Sequence, residues 1–272
     1  MSRKFLWLDG KLVEAKPSLL RSLTPGVLKA KGVFETMRAR DGEIIFLTRH
    51  LRRMSRGLRV LNLPKPVSTP AIRKNILELS RANGLKDARV RLMVWRKAGR
   101  LHSAIICEPL QALTARQCSK GFAAMLTNGH RRRTAVPIKS LDYQIFRQSL
   151  QKARAAGFDE ALLLNDKGEL VEGSRTNIFL VKDNCLLTPP IKSGCLPGVM
   201  RQKVLSRARK LKLRCTTKSI TPQDLLEADE AFLTNALIGV MPLTHLGSKR
   251  IGIGKPGPVT LRLRNAIQEA KE

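Results

Sequence analysis

Apolar residues in the first part of the chain recur at the two spacings that are typical of strands and of helices. The alternating pattern in "KFLWLDGKLVE" predicts a β-hairpin that turns at Asp9 and Gly10. In "TRHLRRMSRGLRVL", the residues Leu51, Met54 and Leu58 fall on one face of a helix. This stretch is therefore predicted to form an amphipathic helix.

A second helix and three strands are predicted before residue 111. "TPAIRKNILELSRANG" begins with Thr69 as the cap and ends at Gly84, while "GEIIFL", "ARVRLMVWR" and "LHSAIICEPL" predict strands. Residues 111–121, "QALTARQCSKG", are polar and lack a sustained period. We therefore predict a smaller N-terminal α/β domain over 1–113, a linker over 114–121 and a larger C-terminal domain over 122–272.

Turns and short apolar runs dominate the second half. "EALLLNDKGELVEG" and "NIFLVKDNCLLT" predict hairpins, and "GVMRQKVLSRARKLKL" predicts a helix. Pro197 and Gly198 precede that helix, where free backbone N–H groups would point at an anion such as phosphate. "GIGKPG", at 252–257, fits GxGxxG, but it lies so near the end of the sequence that a turn before a last helix is the better interpretation.

Length and composition indicate a globular protein. The chain has 272 residues and 43% hydrophobic content, enough for two domains with their own cores. There is no apolar window of about eighteen residues and no apolar run that suits a secretory signal, so we expect a cytoplasmic protein with no membrane partner. The five cysteines are scattered and the four histidines lack ligand spacing, which predicts reduced thiols and no metal site.

The formal net charge of +30 is the strongest argument for a polyanionic partner. Basic residues cluster in "RHLRRMSRGLR" and "HRRR", but aromatic content is only 4%, so platforms for stacking single strands are scarce. No nucleic-acid-binding motif stands out. We expect only non-specific nucleic-acid binding.

Glu172 and Lys139 are two ionisable residues whose neighbours in the sequence indicate a chemical role. Glu172 opens the apolar run in "ELVEGSRTNIFLV", and a buried carboxylate without partners costs several kcal/mol, roughly. From the residues alone, it could pair with Arg175 at a surface turn.

Lys139 follows an apolar stretch and precedes the sole tyrosine, Tyr143. Schiff-base chemistry needs a lysine whose pKa is lowered by burial, although a lysine at a strand end is more often a solvated surface residue.

The order of several motifs resembles the class IV, or fold-type IV, pyridoxal-phosphate enzymes from end to end. These motifs are "KSLDY", "DEALLLNDKGELVEGSRTNIF", "TPP", "GCLPGVMRQ" and "ADEAFLTNALIGVMPL". The resemblance implies an α/β fold of two domains, similar to D-amino-acid aminotransferase, with pyridoxal 5'-phosphate in the interdomain cleft. It also implies a homodimer whose partner subunit contributes to the active site.

The same resemblance implies the roles of three residues. Lys139 would be the catalytic residue that holds the cofactor, and Glu172 would face its pyridine nitrogen and keep it protonated. Glu172 would then have the cofactor, and not Arg175, as its partner. Tyr143 would donate a hydrogen bond to the ring oxygen.

The phosphate of the cofactor is expected to bind residues from both halves of the chain. Arg53, in an H-x-x-R stretch, would clamp it, and the backbone N–H groups of Val199 and Met200 would add to the site. Met200 and Ala236 stand where transaminases of this class often carry threonines. Asn235 and Ala236 complete the predicted cofactor-binding set.

Three positions favour one branch of the family, 4-amino-4-deoxychorismate lyase. Thr36 in "GVFETMR", Arg100 in "WRKAGR" and Asn235 in "TNALIGVMP" are the predicted substrate-binding residues. The expected reaction eliminates pyruvate and gives 4-aminobenzoate for folate biosynthesis. The alternative is a class IV aminotransferase that acts on branched-chain or D-amino acids with 2-oxoglutarate, and a nucleic-acid-binding protein is a remote alternative.

Overall fold

The computed structural model describes residues 4–65, 68–111, 113–130 and 137–268, and only the backbone of residues 128–130 and 268. These residues form two compact units, one within residues 4–111 with 138–144 and the other of residues 113–130 with 137 and 145–268. The predicted division into two domains and a linker stays a prediction. Residues 138–144, however, lie in the first unit, and the segment 114–121 contains a helix because Thr114 and Gln117 form a capping box.

The first unit is an antiparallel sheet of six strands with helices packed on it. Its strands are β1 (Phe5–Leu8), β2 (Lys11–Glu14), β3 (Lys31–Arg40), β4 (Glu43–Ile44), β5 (Asp87–Lys97) and β6 (Arg100–Pro109), and its helices are α1 (Pro17–Ser22), α2 (Leu47–Val60) and α3 (Thr69–Ala82). The strand order is β2-β1-β6-β5-β3-β4. Val33 and Met37 of β3 share a buried core with Leu51, Met54 and Leu58, which confirms the apolar face predicted for α2.

The second unit is built on a mixed sheet of nine strands. Its elements are α4 (Ala115–Lys120), β7 (Phe122–His130), α5 (Gln144–Ala155), β8 (Glu160–Leu164), β9 (Leu170–Gly173), β10 (Asn177–Lys182), β11 (Cys185–Thr188), a 3-10 turn (Ile191–Ser193), α6 (Val199–Lys210), β12 (Arg214–Thr217), α7 (Pro222–Leu226), β13 (Glu230–Asn235), β14 (Gly239–Leu246), β15 (Lys249–Arg250) and α8 (Pro258–Gln268). The order is β12-β11-β10-β13-β14-β7-β8-β9, and β15 pairs with β14. In the ranges that the structure describes, no helix is long and apolar enough to cross a membrane.

Two predicted hairpins have the turn geometry that their residues suggest. Asp9 and Gly10 join β1 to β2 with φ of 50° and 82°, and Asp183 and Asn184 join β10 to β11 with φ of 47° and 56°. Two successive residues with positive φ match the twist of the flanking strands. Both hairpin predictions are confirmed.

The start of each of the helices α2 and α3 differs from its prediction. Only Glu43–Ile44 of "GEIIFL" is a strand, because Phe46 takes a left-handed φ of 57° and α2 begins at Leu47. Ser68, not Thr69, caps α3, and its hydroxyl accepts a hydrogen bond from the Ala71 N–H at 3.5 Å. In each case, the chain turns into the helix one residue earlier than predicted.

Candidate active site

Lys139 lies on a short extended segment that pairs with β3. Its carbonyl accepts the Phe34 N–H at 2.9 Å, and the Leu141 N–H donates to the Gly32 carbonyl at 3.0 Å. The same segment also packs closely against Gly26. The φ of Gly26 is +81°, and a Cβ there would lie 2.8 Å from the carbonyl carbon of Tyr143, so a larger residue would not fit. The segment is therefore fixed by backbone contacts at Lys139 and at the residues that follow it.

Two aromatic rings surround the amine of Lys139. Nζ lies 4.5 Å from the ring centroid of Phe34 and 5.3 Å from that of Tyr143. The two rings meet edge to face, with centroids 5.1 Å apart and an angle of 85°. These contacts restrict the position of a half-buried amine, as a lysine that forms a covalent bond requires. The predicted hydrogen bond from Tyr143 to a ring oxygen stays a prediction.

Glu35, on the face of β3 that packs against α2, forms a buried cluster with Arg53 and His50. Arg53 donates to the two carboxylate oxygens of Glu35 at 2.8 and 2.6 Å, and His50 Nδ1 lies 2.7 Å from Oε2. Burial raises the pKa of Glu35, but the charge and hydrogen bonds of Arg53 and His50 outweigh it and lower the pKa to about 2. The predicted phosphate contact of Arg53 stays a prediction, and the cluster shows that Glu35 orients this guanidinium.

The other face of the same sheet carries a second buried cation, Arg91. It pairs in register with Thr36, and only 6% of its surface is exposed. Burial and the nearby charge of Arg89 lower its pKa to about 10, against the opposing effect of Glu108, whose carboxylate lies 3.6 Å away. A buried guanidinium beside half-buried Thr36 is suited to bind a carboxylate.

Arg100, by contrast, is exposed in the hairpin that joins β5 to β6, where it pairs in register with Lys97. An exposed cation binds a carboxylate weakly because water screens the charge. In the first unit, the buried arginine is therefore a better carboxylate-binding candidate than the predicted one. The predicted role of Arg100 as a substrate contact stays a prediction.

Glu172 is buried in the second unit, with 4% of its surface exposed. Its carboxylate accepts the backbone N–H of Leu196 at 2.9 Å and the side-chain amide of Asn177 at 3.4 Å. Asn177 also donates to the Leu196 carbonyl at 2.9 Å, and a Cβ at Gly198 would collide with the Asn177 amide oxygen. This close packing fixes the orientation of the carboxylate. Because Glu172 is buried, it does not lie at a solvated surface turn, which is where the alternative pairing with Arg175 placed it.

The chain after Leu196 enters α6 at an uncapped helix start. Gly198 is the N-cap residue and has no side chain to accept from the first turn, in which Val199 and Met200 are buried. Arg201 donates to the Pro189 carbonyl at 2.9 Å; burial lowers its pKa, and electrostatic interactions with Cys195 and Glu172 oppose this effect. Free N–H groups at such a start are suited to bind an anion. A phosphate there stays a prediction.

Asn235 is engaged in a turn of the backbone. Its amide oxygen accepts the N–H groups of Leu237 at 2.8 Å and Ile238 at 2.9 Å, and its amide nitrogen donates to the Arg175 carbonyl at 3.3 Å. Ala236 follows it, half-buried, with only a methyl group. Both residues therefore shape the backbone of this turn, and their contacts with cofactor or substrate stay predictions.

Sequence comparisons identify the family of the chain. The profile of amino-transferase class IV matches residues 32–246, and the chain belongs to this family. A branched-chain-amino-acid aminotransferase of Pseudomonas aeruginosa is 32% identical over 96% of this chain and 91% of its own. A D-alanine aminotransferase of Bacillus licheniformis is 29% identical over 96% of this chain and 95% of its own.

The fold agrees with this assignment. A branched-chain amino acid aminotransferase from Thermobaculum terrenum, solved in its PLP-bound holo form, superposes with a TM-score of 0.82 at 26% identity, covering 98% of this chain and 93% of that one. The predicted two-domain α/β fold of fold type IV is thus confirmed.

The prediction of a 4-amino-4-deoxychorismate lyase is wrong. The relatives described above match over almost the whole chain and are named as aminotransferases. The predicted roles in folate biosynthesis and 4-aminobenzoate formation are therefore not supported either. The prediction depended on three single residues. In the structure, one of them, Arg100, is an exposed hairpin residue, and another, Asn235, is engaged with the backbone.

Proposed function

We propose that this protein is a pyridoxal-phosphate-dependent aminotransferase that transfers the amino group of a branched-chain amino acid to 2-oxoglutarate. The observation that carries the proposal is the buried, oriented carboxylate of Glu172 in a chain of this family. The donor set fits the cofactor, since it offers an amine, a buried carboxylate for a protonated ring nitrogen and an uncapped helix start for a phosphate. Bound pyridoxal phosphate would supply an electron sink for the bond that breaks at the substrate's α carbon.

Lys139 would move the proton in this reaction. Its Nζ would take the proton from the α carbon of the amino acid and later deliver a proton to the carbon that receives the amino group. Phe34 and Tyr143 would hold the amine in place through both steps, because their rings already lie against it.

Glu172 and the start of α6 would bind the two ends of the cofactor. The Glu172 carboxylate would keep a proton on the ring nitrogen, and the N–H groups of Val199 and Met200 would donate to the phosphate. Arg53 would add its charge to the phosphate, while Glu35, which also contacts His50, orients the guanidinium.

Arg91 would bind a carboxylate of the acceptor. A branched-chain donor has one carboxylate and an apolar side chain, whereas 2-oxoglutarate has two carboxylates. If the donor and 2-oxoglutarate bind in the same site, a cation in that site must pair with the second carboxylate of 2-oxoglutarate. The branched-chain donor has no group that would contact this cation. Buried Arg91 beside Thr36 has the charge and position within its sheet for this task.

The test is a comparison of amino donors with the purified holoenzyme. We expect L-leucine, L-isoleucine and L-valine to give glutamate from 2-oxoglutarate with kcat/KM at least about tenfold above that of D-alanine, a difference of roughly 1.4 kcal/mol. A D-amino acid aminotransferase is the second candidate, favoured by the Bacillus licheniformis relative, and faster turnover of D-alanine would establish it. If neither donor is used, the proposal is overturned.

A homodimer is the oligomeric state that we propose for the active enzyme. The support is that the chain belongs to the class IV aminotransferase family, because the resemblance to this family implied a homodimer. One chain has a mass of 30.3 kDa, and light scattering on the holoenzyme after size exclusion should give twice that mass. A monomer with full activity would contradict this part of the proposal.

A further inference from the structure

Helix α2 carries four exposed arginines on the side opposite its core contacts. These residues, the arginine stripe, are Arg49, Arg52, Arg56 and Arg59. They follow one another at spacings of three, four and three positions, which places them in one row along a helix. The row spans roughly 15 Å at 1.5 Å per residue.

No carboxylate neutralises the stripe in the part of the chain that the structure describes. Helix α2 contains no acidic residue, and none of the four guanidinium groups forms a hydrogen bond or an ion pair with another described residue. On α3, by contrast, Lys74 lies 3.8 Å from Glu78. Like charges at these spacings destabilise a helix by about 0.2–0.5 kcal/mol per pair. An anion that binds the row would relieve this repulsion.

We propose that the arginine stripe binds the phosphate backbone of double-helical nucleic acid, without reading its sequence. Guanidinium groups match phosphate oxygens with two parallel hydrogen bonds, and B-DNA carries one negative charge per about 1.7 Å of its axis. A row of roughly 15 Å therefore faces several phosphates at once. The net charge of +30 adds a long-range attraction for the same polyanion.

Other partners fit this surface less well. A helix that binds a membrane inserts an apolar face, but the apolar residues of α2, among them Leu51, Met54 and Leu58, are buried in the core. A protein interface has an apolar centre, which a row of arginines does not supply. Single strands need aromatic stacking platforms, and aromatic residues make up only 4% of the chain.

The stripe is separate from the residues of the proposed active site. On the same helix, His50 and Arg53 contact buried Glu35, whereas the four stripe residues are exposed. Changing the stripe should therefore leave the cofactor and the aminotransferase activity unchanged. Binding of nucleic acid and transfer of amino groups can thus fail independently.

The experiment compares two variants with the same net charge. In the stripe variant, Arg49, Arg52, Arg56 and Arg59 are replaced by Gln. In the control variant, four exposed arginines from different elements are replaced by Gln: Arg96, Arg209, Arg250 and Arg262. Fluorescence anisotropy with a labelled random duplex of about 20 base pairs measures affinity between about 50 and 200 mM salt.

We expect the wild-type protein to bind the duplex, and the stripe variant to bind at least tenfold more weakly at low salt. Four lost phosphate contacts should reduce the slope of log K against log salt by about 3.6. The control variant should keep the wild-type slope to within about 1. The proposal is overturned if both variants weaken equally, which would indicate an effect of overall charge alone, or if the wild type does not bind. Wild-type binding to phosphatidylserine vesicles that is tighter than to the duplex, and lost in the stripe variant, would also overturn it in favour of a membrane.

Discussion

The carboxylate of Glu35 holds the guanidinium of Arg53 through two hydrogen bonds, of 2.8 and 2.6 Å, in a buried site. Removing one partner of a buried pair costs about 3–5 kcal/mol because the other charge is left without compensation. We therefore expect Glu35→Gln to lower the free energy of unfolding in urea by about 3 kcal/mol. Glu78→Gln, which breaks the exposed pair with Lys74, should cost less than about 0.5 kcal/mol. Equal effects of the two changes would contradict the importance of burial.

The lowered pKa of Glu35 makes stability depend on pH in the acid range. Its folded-state pKa is about 2, below the ordinary value of 4.5, so its contribution is fully present above 4.5 and is lost as pH falls toward 2. The difference corresponds to roughly 3 kcal/mol. The free energy of unfolding of the wild type should fall more steeply between pH 5 and pH 2 than that of Glu35→Gln, by about this amount in total. Parallel curves for the two proteins would show that Glu35 does not cause the acid sensitivity.

Lys139 should be the only residue that forms a reducible covalent bond to the cofactor. Borohydride treatment of the holoenzyme should bleach its colour and leave one labelled peptide that contains Lys139, which mass spectrometry can identify. Lys139→Ala should give no labelled peptide, whereas Lys152→Ala, at an exposed position on α5, should behave like the wild type. A labelled peptide in the Lys139→Ala protein would assign the covalent bond to another lysine.

Glu172→Gln should separate the charge of this residue from its packing. The glutamine keeps an oxygen for the Leu196 N–H, so the variant should fold and retain cofactor, but the negative charge that keeps the ring nitrogen protonated is lost. We expect kcat to fall by on the order of a hundredfold, or about 2.7 kcal/mol, with the thermal unfolding temperature nearly unchanged. Turnover near that of the wild type would leave Glu172 with a structural role alone.

Arg91 should determine how well the enzyme binds a dicarboxylic acceptor. Arg91→Gln should raise the KM for 2-oxoglutarate at least about tenfold, while the KM for 4-methyl-2-oxopentanoate, which has one carboxylate, should change much less. The control is Arg89→Gln, since Arg89 is two residues away on the same strand but only half-buried. If both acceptors are affected alike, Arg91 does not distinguish the second carboxylate.

Local sequence patterns predicted much of the fold. The β1–β2 hairpin depends on Asp9 and Gly10, and the buried face of α2 depends on a helical period, so neighbouring residues contain the whole signal. The start of α2 was missed because Phe46 adopts a left-handed conformation that is uncommon for its type. Such a backbone angle is imposed by its surroundings and not by the residue itself.

The candidate site was only partly predictable, because its contacts join residues far apart in the sequence. Glu35 lies inside an apolar strand pattern, and its partners come 15 and 18 positions later. An unexplained carboxylate at such a position was a signal that a cation must face it. Arg91 gave a weaker signal, since its alternation with apolar residues in β5 is equally typical of a solvated face.

Residues 138–141 complete the edge of a sheet whose other strands come from the first hundred or so residues. Val33 of β3 pairs with Ser140, and Phe34 and Gly32 bond to the same segment. A truncated fragment that stops at residue 113 would expose the backbone N–H and C=O groups along this half of β3, and an unpaired apolar edge promotes aggregation. We therefore expect a fragment that ends at residue 113 to aggregate, and a peptide that carries residues 138–144 to restore the pairing of this edge.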